Sequence, residues 1–195
     1  YSEIISDSSR LGDVDVASFR IVDDIGWEFN YFFADKNRIY GIGAVHGYTY
    51  LFPVDEADPK TFKRLSHGGF GDSEHVFGEG GIIQVADPKT YQIIKDYKGR
   101  YSRNFSKDIN AVYYMGEKIE RADPETFMMA FEDYGKDEDH VFFQEDIIDG
   151  ADPKTYQVFG DQSPWYNYAG DKNHVYHYGH IFFTEADPKT FQFFS

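Results

Sequence analysis

One hexapeptide recurs almost verbatim along the chain: Ala57-Asp58-Pro59-Lys60-Thr61-Phe62 returns at residues 86–91, 122–127, 151–156 and 186–191. A decayed copy, Val14-Asp15-Val16-Ala17-Ser18-Phe19, lies near the start. The Asp-Pro aspartates Asp58, Asp87, Asp123, Asp152 and Asp187 are spaced 29, 36, 29 and 35 residues apart, so a unit of 29 carries insertions in alternate copies. Self-similarity at a period of about 20–50 residues belongs to repeat architectures, in which each unit buries its apolar face only against its neighbours.

A second motif alternates with the first. Asp35-Lys36-Asn37-Arg38-Ile39-Tyr40 and Asp171-Lys172-Asn173-His174-Val175-Tyr176 are its clearest copies, with diverged ones at 72–77, 108–113 and 137–142. From each of these aspartates to the next Asp-Pro the distances are 23, 15, 15, 15 and 16 residues, a shared register. An aromatic precedes the aspartate by three at Phe32, Phe105, Tyr134 and Tyr168, whereas the copy at Asp72 has Gly69 there.

Local chemistry assigns each motif a shape. In Asp-Pro-Lys-Thr-Phe, Asp is a preferred helix N-cap, and Pro suits the first helical position, where its missing N–H costs nothing. Ala before the cap and the aromatic four residues on are placed like a hydrophobic staple. The stretches that follow, such as Gln92-Ile93-Ile94 and Gln157-Val158-Phe159, favour strand, so each copy predicts a single helical turn. The Asp-Lys-Asn motif predicts a tight bend: Asp accepts hydrogen bonds from N–H groups just downstream, and Asn tolerates left-handed backbone. A β-branched residue and an aromatic then resume a strand, and the aromatic at the fifth position is the expected core residue in every copy.

Each unit therefore reads as short strands joined by an Asp bend, a second turn and one helical turn. Residues 1–195 are expected to form one all-β repeat domain, an antiparallel β-hairpin array of about five units of 29–36 residues with a partial unit at the N-terminus. A small closed β-propeller is the alternative, disfavoured because a blade usually takes about 40 residues or more. The N-terminal hexapeptide lacks a bend before it, which suggests a piece of a longer protein.

Composition narrows function. The chain holds 19 Lys and Arg against 34 Asp and Glu, a net charge of −15, which opposes nucleic acid, since binding it needs a basic stripe to displace counterions. Sixteen Tyr, 19 Phe and 2 Trp are too many aromatics for a disordered acidic chain. With no Cys there is neither a disulfide framework nor a thiolate metal site. No apolar run approaches the length of a membrane-spanning helix.

Asp171-Lys172-Asn173-His174-Val175-Tyr176 followed by Ala186-Asp187-Pro188-Lys189-Thr190-Phe191, with that alternation repeated along residues 14–195, resembles the DKNYY family of bacterial repeat proteins. The triplet is intact only at 35 and 171, and the double-aromatic ending is met only at Tyr113-Tyr114 and Phe142-Phe143. The resemblance implies a bacterial source, an uncharacterised function, and an exported or surface-associated location. It supplies no catalytic or binding residues.

His174, His177 and His180 fall within seven residues, but a spacing of three along one strand sends neighbours to opposite faces, so no metal site is expected from them. His75, His140 and His174 share one turn position, which suggests a structural slot. Nine acidic residues lie between Glu132 and Asp152, and Asp137-Glu138-Asp139 resembles the start of a calcium loop. The sixth position of such a loop calls for Gly where this chain has Phe142, so a solvated acidic face is favoured over calcium. A glycosidase-like carboxylate pair is disfavoured because each repeated Asp has a local backbone role. The aromatic insertions carry the best binding residues: Tyr48, Tyr50, Trp165, Tyr166 and Tyr168. Insertions in repeat proteins cluster on one face, and exposed Tyr and Trp offer rigid contact area. The expectation is a non-catalytic protein-interaction or cell-envelope module without cofactor. A carbohydrate-binding module using those loops is the second reading, and an acid/base hydrolase the third.

Overall fold

The computed structural model describes residues 14–22, 32–45, 48–65, 68–78, 81–159, 168–182 and 188–191. The described residues contain only β-strands and turns, arranged as five four-stranded antiparallel sheets, each a meander in chain order. The chain divides into two compact units, Tyr1–Tyr91 and Gln92–Ser195.

The first unit holds two sheets. One comprises β1 (Arg20–Ile21), β2 (Phe32–Ala34), β3 (Ile39–Val45) and β4 (Tyr48–Val54). The other comprises β5 (Lys63–Arg64), β6 (Phe70–Gly71), β7 (Val76–Gly78) and β8 (Gly81–Ile82). The second unit holds three. They run from β9 (Gln92–Lys95), β10 (Tyr101–Lys107), β11 (Val112–Tyr114) and β12 (Glu117–Lys118) to β13 (Met128–Phe131), β14 (Tyr134–Lys136), β15 (Val141–Phe143) and β16 (Asp146–Ile147). The last contains β17 (Gln157–Phe159), β18 (Tyr168–Gly170), β19 (Val175–His177) and β20 (His180–Ile181). None is closed into a barrel, and the hairpin repeat array expected from the sequence is what forms. Within the second unit the first strands neighbour one another, β9 beside β13 and β13 beside β17.

The motifs sit where their chemistry sends them. The Asp bend joins the second and third strands of every sheet, and each sheet follows a hexapeptide. The amide of Phe62 donates to the Asp58 carbonyl at 2.9 Å, and Tyr91, Phe127 and Tyr156 repeat this bond to Asp87, Asp123 and Asp152 at 2.9 Å. One α-type turn results, and the β-favouring residues behind it stop propagation.

The core is built from a three-ring wedge. Between sheets β1–β4 and β5–β8 the hexapeptide ring Phe62 lies 5.1 Å from Phe32 on one sheet and 5.4 Å from Phe77 on the next. Phe127 repeats this between Phe105 and Phe142 at 5.3 and 5.7 Å. Tyr156 does so between Tyr134 and Tyr176 at 6.0 and 5.7 Å. The flanking rings are the aromatic three residues before one Asp bend and the aromatic five residues after another. The fifth-position residues Tyr40, Phe77, Tyr113, Phe142 and Tyr176 are all buried, as are the preceding Ile39, Val76, Val112, Val141 and Val175. Adjacent strand positions point to opposite faces, so both faces of these sheets are packed, and each buried ring contributes roughly 1.5–3 kcal/mol. In the copy with Gly69, Phe70 packs into the preceding wedge instead, 4.7 Å from Phe32 and 6.2 Å from Phe62.

Candidate functional site

Alternating carboxylates are the repeated chemical feature of this chain, and their geometry decides what they can do. At the Asp bend, Oδ1 of Asp35 accepts the amides of Asn37 and Arg38 at 2.7 and 2.8 Å. The same fork recurs at Asp72, Asp108, Asp137 and Asp171. The Oδ2 oxygen reaches further. That of Asp35 accepts the amide of Asp15 at 2.8 Å, that of Asp72 the amide of Asp58 at 3.0 Å, that of Asp137 the amide of Asp123 at 3.0 Å, and that of Asp171 the amide of Asp152 at 2.8 Å. Where the fifth position is Tyr, its hydroxyl also donates to Oδ2: Tyr40 at 2.9 Å, Tyr113 and Tyr176 at 3.0 Å.

The hexapeptide completes the clamp. Asp58 Oδ1 accepts the Lys60 amide at 3.0 Å and its Oδ2 the Thr61 hydroxyl at 2.9 Å. The Thr or Ser oxygen then accepts the amide following the bend aspartate: Lys36 to Ser18 at 2.9 Å, Ser73 to Thr61 at 3.3 Å, Glu138 to Thr126 at 3.4 Å, Lys172 to Thr155 at 3.2 Å. In the two copies with the full Asp-Lys-Asn triplet, the lysine ammonium closes back on the hexapeptide aspartate. Lys36 pairs with Asp15, and Lys172 pairs with Asp152 at 2.7 Å.

Protonation follows from these partners. Burial raises the Asp35 carboxyl, but the amides of Asp15, Asn37 and Arg38 with the Tyr40 hydroxyl outweigh burial and hold it below the usual carboxylate value. Asp72 and Asp171 show the same balance. The Tyr40 phenol moves up to about 12 through burial and its bond to Asp35. These carboxylates are ionised acceptors with both oxygens engaged.

Histidine at the third position after the bend fills a repeated slot, as the spacing suggested. The rings of His75, His140 and His174 lie 6.1, 5.9 and 6.0 Å from the fifth-position rings Phe77, Phe142 and Tyr176. His177 and His180 depart from the arrangement expected of a single strand. They do not follow one another along a strand: they face each other across the two-residue turn Tyr178-Gly179, as Cα partners on β19 and β20. Side chains of directly paired residues emerge on the same face of a sheet, so the expected separation to opposite faces does not occur.

Of the aromatic binding candidates, Trp165 and Tyr166 lie outside the described residues. Tyr48 and Tyr50 belong to β4, where only their backbone is described. Tyr168 is half-buried at the position that carries Phe32, Phe105 and Tyr134 in other sheets, with its ring stacked 4.1 Å from His177 and 5.9 Å from Phe191. In the acidic stretch, Asp137 serves as a bend and Asp152 as a cap, and Asp133 Oδ1 accepts from Asn104 Nδ2 and the Tyr114 hydroxyl at 2.8 Å each. Among the described residues no three His, Asp or Glu side chains converge as a metal site.

Sequence reasoning missed a second use of lysine. Lys107 Nζ donates to the Pro124 carbonyl at 2.7 Å, and Lys136 Nζ to the Pro153 carbonyl at 2.8 Å, closing the free carbonyl end of a hexapeptide turn. Both lysines directly precede a bend aspartate, a coincidence that could have flagged them. Lys107 is desolvated enough to lower its ammonium pKa, with Asp123 acting in the opposite direction.

Meanders in series, wedged by hexapeptide rings and clamped by paired aspartates, define an all-β repeat protein. The chain belongs to the DKNYY family, whose model matches residues 44–180. No curated protein and no solved structure matches it. Among the described residues, no helix is long and apolar enough to cross a membrane.

Proposed function

We propose that this chain is a non-catalytic interaction module of a bacterial cell envelope, with the repeat array as scaffold and the aromatic insertions as contact surface. The supporting observation is the engagement of the bend aspartates: an acid/base hydrolase needs a carboxyl free to exchange a proton with substrate, and Asp35, Asp72, Asp137 and Asp171 each have both oxygens bonded to N–H or O–H groups of the protein. The acidic surface favours protein partners over polyanions. The family resemblance supports an exported location.

A carbohydrate-binding module is the second reading, favoured by the density of Tyr and Trp at 48–50 and 165–168. One experiment separates the readings. Purified protein is tested against isolated bacterial envelope material before and after protease digestion of that material, with a glycan array alongside. The interaction reading expects capture that digestion abolishes and that Trp165→Ala or Tyr50→Ala removes without changing the melting temperature. Digestion-resistant capture with array hits would transfer the assignment to sugar. Turnover in a hydrolase substrate panel, lost in an aspartate variant that stays folded, would overturn the non-catalytic reading.

A further inference from the structure

The pairing of His177 with His180 has no counterpart in the other sheets. At the two places flanking the last hairpin turn, the chain has Val45 and Tyr48, Gly78 and Gly81, Tyr114 and Glu117, and Phe143 and Asp146. The turn between the histidines is held rigidly. Tyr178 and Gly179 both have positive φ, 49° and 75°, the arrangement of a tight two-residue hairpin whose twist matches its strands. Gly179 has little freedom to be replaced, since a Cβ there would stand 2.7 Å from the Cβ of Phe143. Its amide donates to the Tyr134 hydroxyl at 3.2 Å, tying the turn to the neighbouring sheet of the same unit.

Register fixes how far apart the two imidazoles start. The amide of Phe182 donates to the Val175 carbonyl at 2.8 Å, which makes 175 and 182 a hydrogen-bonded pair. Two residues on, 177 and 180 are again such a pair, with Cα atoms about 5.5 Å apart and side chains on one face. Two imidazoles so rooted can present one nitrogen each to a common ion at the metal–nitrogen distance of about 2.0–2.1 Å.

The rings are available and one is already oriented. Stacking on Tyr168 at 4.1 Å and 16°, with Tyr178 and Phe182 edge-on at 4.4 and 5.5 Å, fixes the plane of His177. His180 is exposed. Two of the slot histidines differ in this respect: His140 has Arg121 at 2.8 Å and His174 has the Tyr176 hydroxyl at 3.4 Å. Neither nitrogen of His177 or His180 has a hydrogen-bond partner among the described residues, and neither residue contributes a solvent-sealed orphan atom.

We infer that His177 and His180 form a two-imidazole chelate for a divalent transition-metal ion, with water filling the remaining positions. Imidazole donors select copper, zinc and nickel over magnesium and calcium, and copper stands highest in that series. The net charge of −15 raises the local concentration of cations around the chain.

The test is calorimetric titration of tag-free protein with copper(II), zinc(II) and magnesium salts near neutral pH, in a buffer that does not bind metals. One copper or zinc ion per chain is expected, with no magnesium binding. His180→Ala, an exposed change that leaves the packing of His177 intact, should weaken binding roughly tenfold or more. His177→Phe, which retains the ring stack, should do the same, while His174→Ala should bind as the parent does. Absence of copper binding up to about 1 mM, or equal affinity in His180→Ala, would overturn the assignment. So would loss of binding in His174→Ala alone.

Discussion

Removing a single oxygen, by Tyr156→Phe, is expected to stabilise this protein. The Tyr156 hydroxyl is buried and without a hydrogen-bond partner. Its two ring neighbours have satisfied hydroxyls: Tyr134 accepts from Gly179, and Tyr176 donates to Asp171. Burial drives the Tyr156 phenol far above its ordinary pKa, so it stays neutral at any working pH and no charge interaction offsets its desolvation. The equivalent wedge position is Phe in two other described copies, Phe62 and Phe127, with the same ring contacts. An unsatisfied buried hydroxyl costs about 1–3 kcal/mol. Deleting the oxygen forfeits a few dispersion contacts worth about 0.1–0.2 kcal/mol each. The net expectation is a gain of about 1–2 kcal/mol, or a rise of roughly 2–8 °C in melting temperature for a chain of this length. Urea unfolding followed by tyrosine fluorescence should show a higher midpoint at unchanged slope. Tyr134→Phe, which removes the acceptor for Gly179, should lose about 1 kcal/mol in the same assay. A Tyr156→Phe midpoint at or below that of the parent would refute the reasoning.

Asp171→Asn keeps the shape of the bend but replaces one acceptor oxygen with a donor facing the amide of Asp152 and the Tyr176 hydroxyl; a loss of about 2–4 kcal/mol is expected, whereas Asp149→Asn at an exposed site should be neutral in the same denaturation curve. Lys136→Met strips a cation from the carbonyls of Pro153 and Tyr156 and should cost about 1–2 kcal/mol. Acid titration of stability should show two regions. Asp35, Asp72, Asp96 and Asp171 have lowered folded-state values, so their contribution is complete above the unfolded carboxylate pKa near 4 and is lost as pH falls through the folded values. His177 is also lowered, so the unfolded chain takes up its proton first and stability declines modestly as pH falls through about 6.5. Melting curves from pH 8 to 3 check both, and His177→Phe should remove the upper step alone.

Much of this architecture was legible in residues that act on their own neighbours. Asp followed by Pro, then Thr and an aromatic, makes a capped turn by contacts within five residues, and Asp at the bend forks to amides two and three residues on. The core position after each bend could be read because strand alternation and a residue type common to all copies point to it. Contacts between distant segments were not legible. Asp58 and Asp72 stand 14 residues apart and Asp15 and Asp35 stand 20 apart, yet both pairs form the same bond, since docking of the hexapeptide turn onto the next hairpin, not chain distance, brings them together. Spacing measured from each bend to the following Asp-Pro gave the period while hiding the partnership. Spacing alone does not place histidines three apart for a related reason: whether a two-residue turn intervenes decides if they oppose or share a face.

Sequence alone thus determined the repeat, the turns and the buried ring after each bend, because these arise from short-range hydrogen bonding and periodic burial. Tertiary structure alone decided which carboxylate meets which amide, which lysine closes a turn, which tyrosine is left without a partner and that His177 faces His180. The first three depend on how sheets seat against one another, which is set by the summed packing of many rings, and the last on the two-residue turn that folds β20 back onto β19.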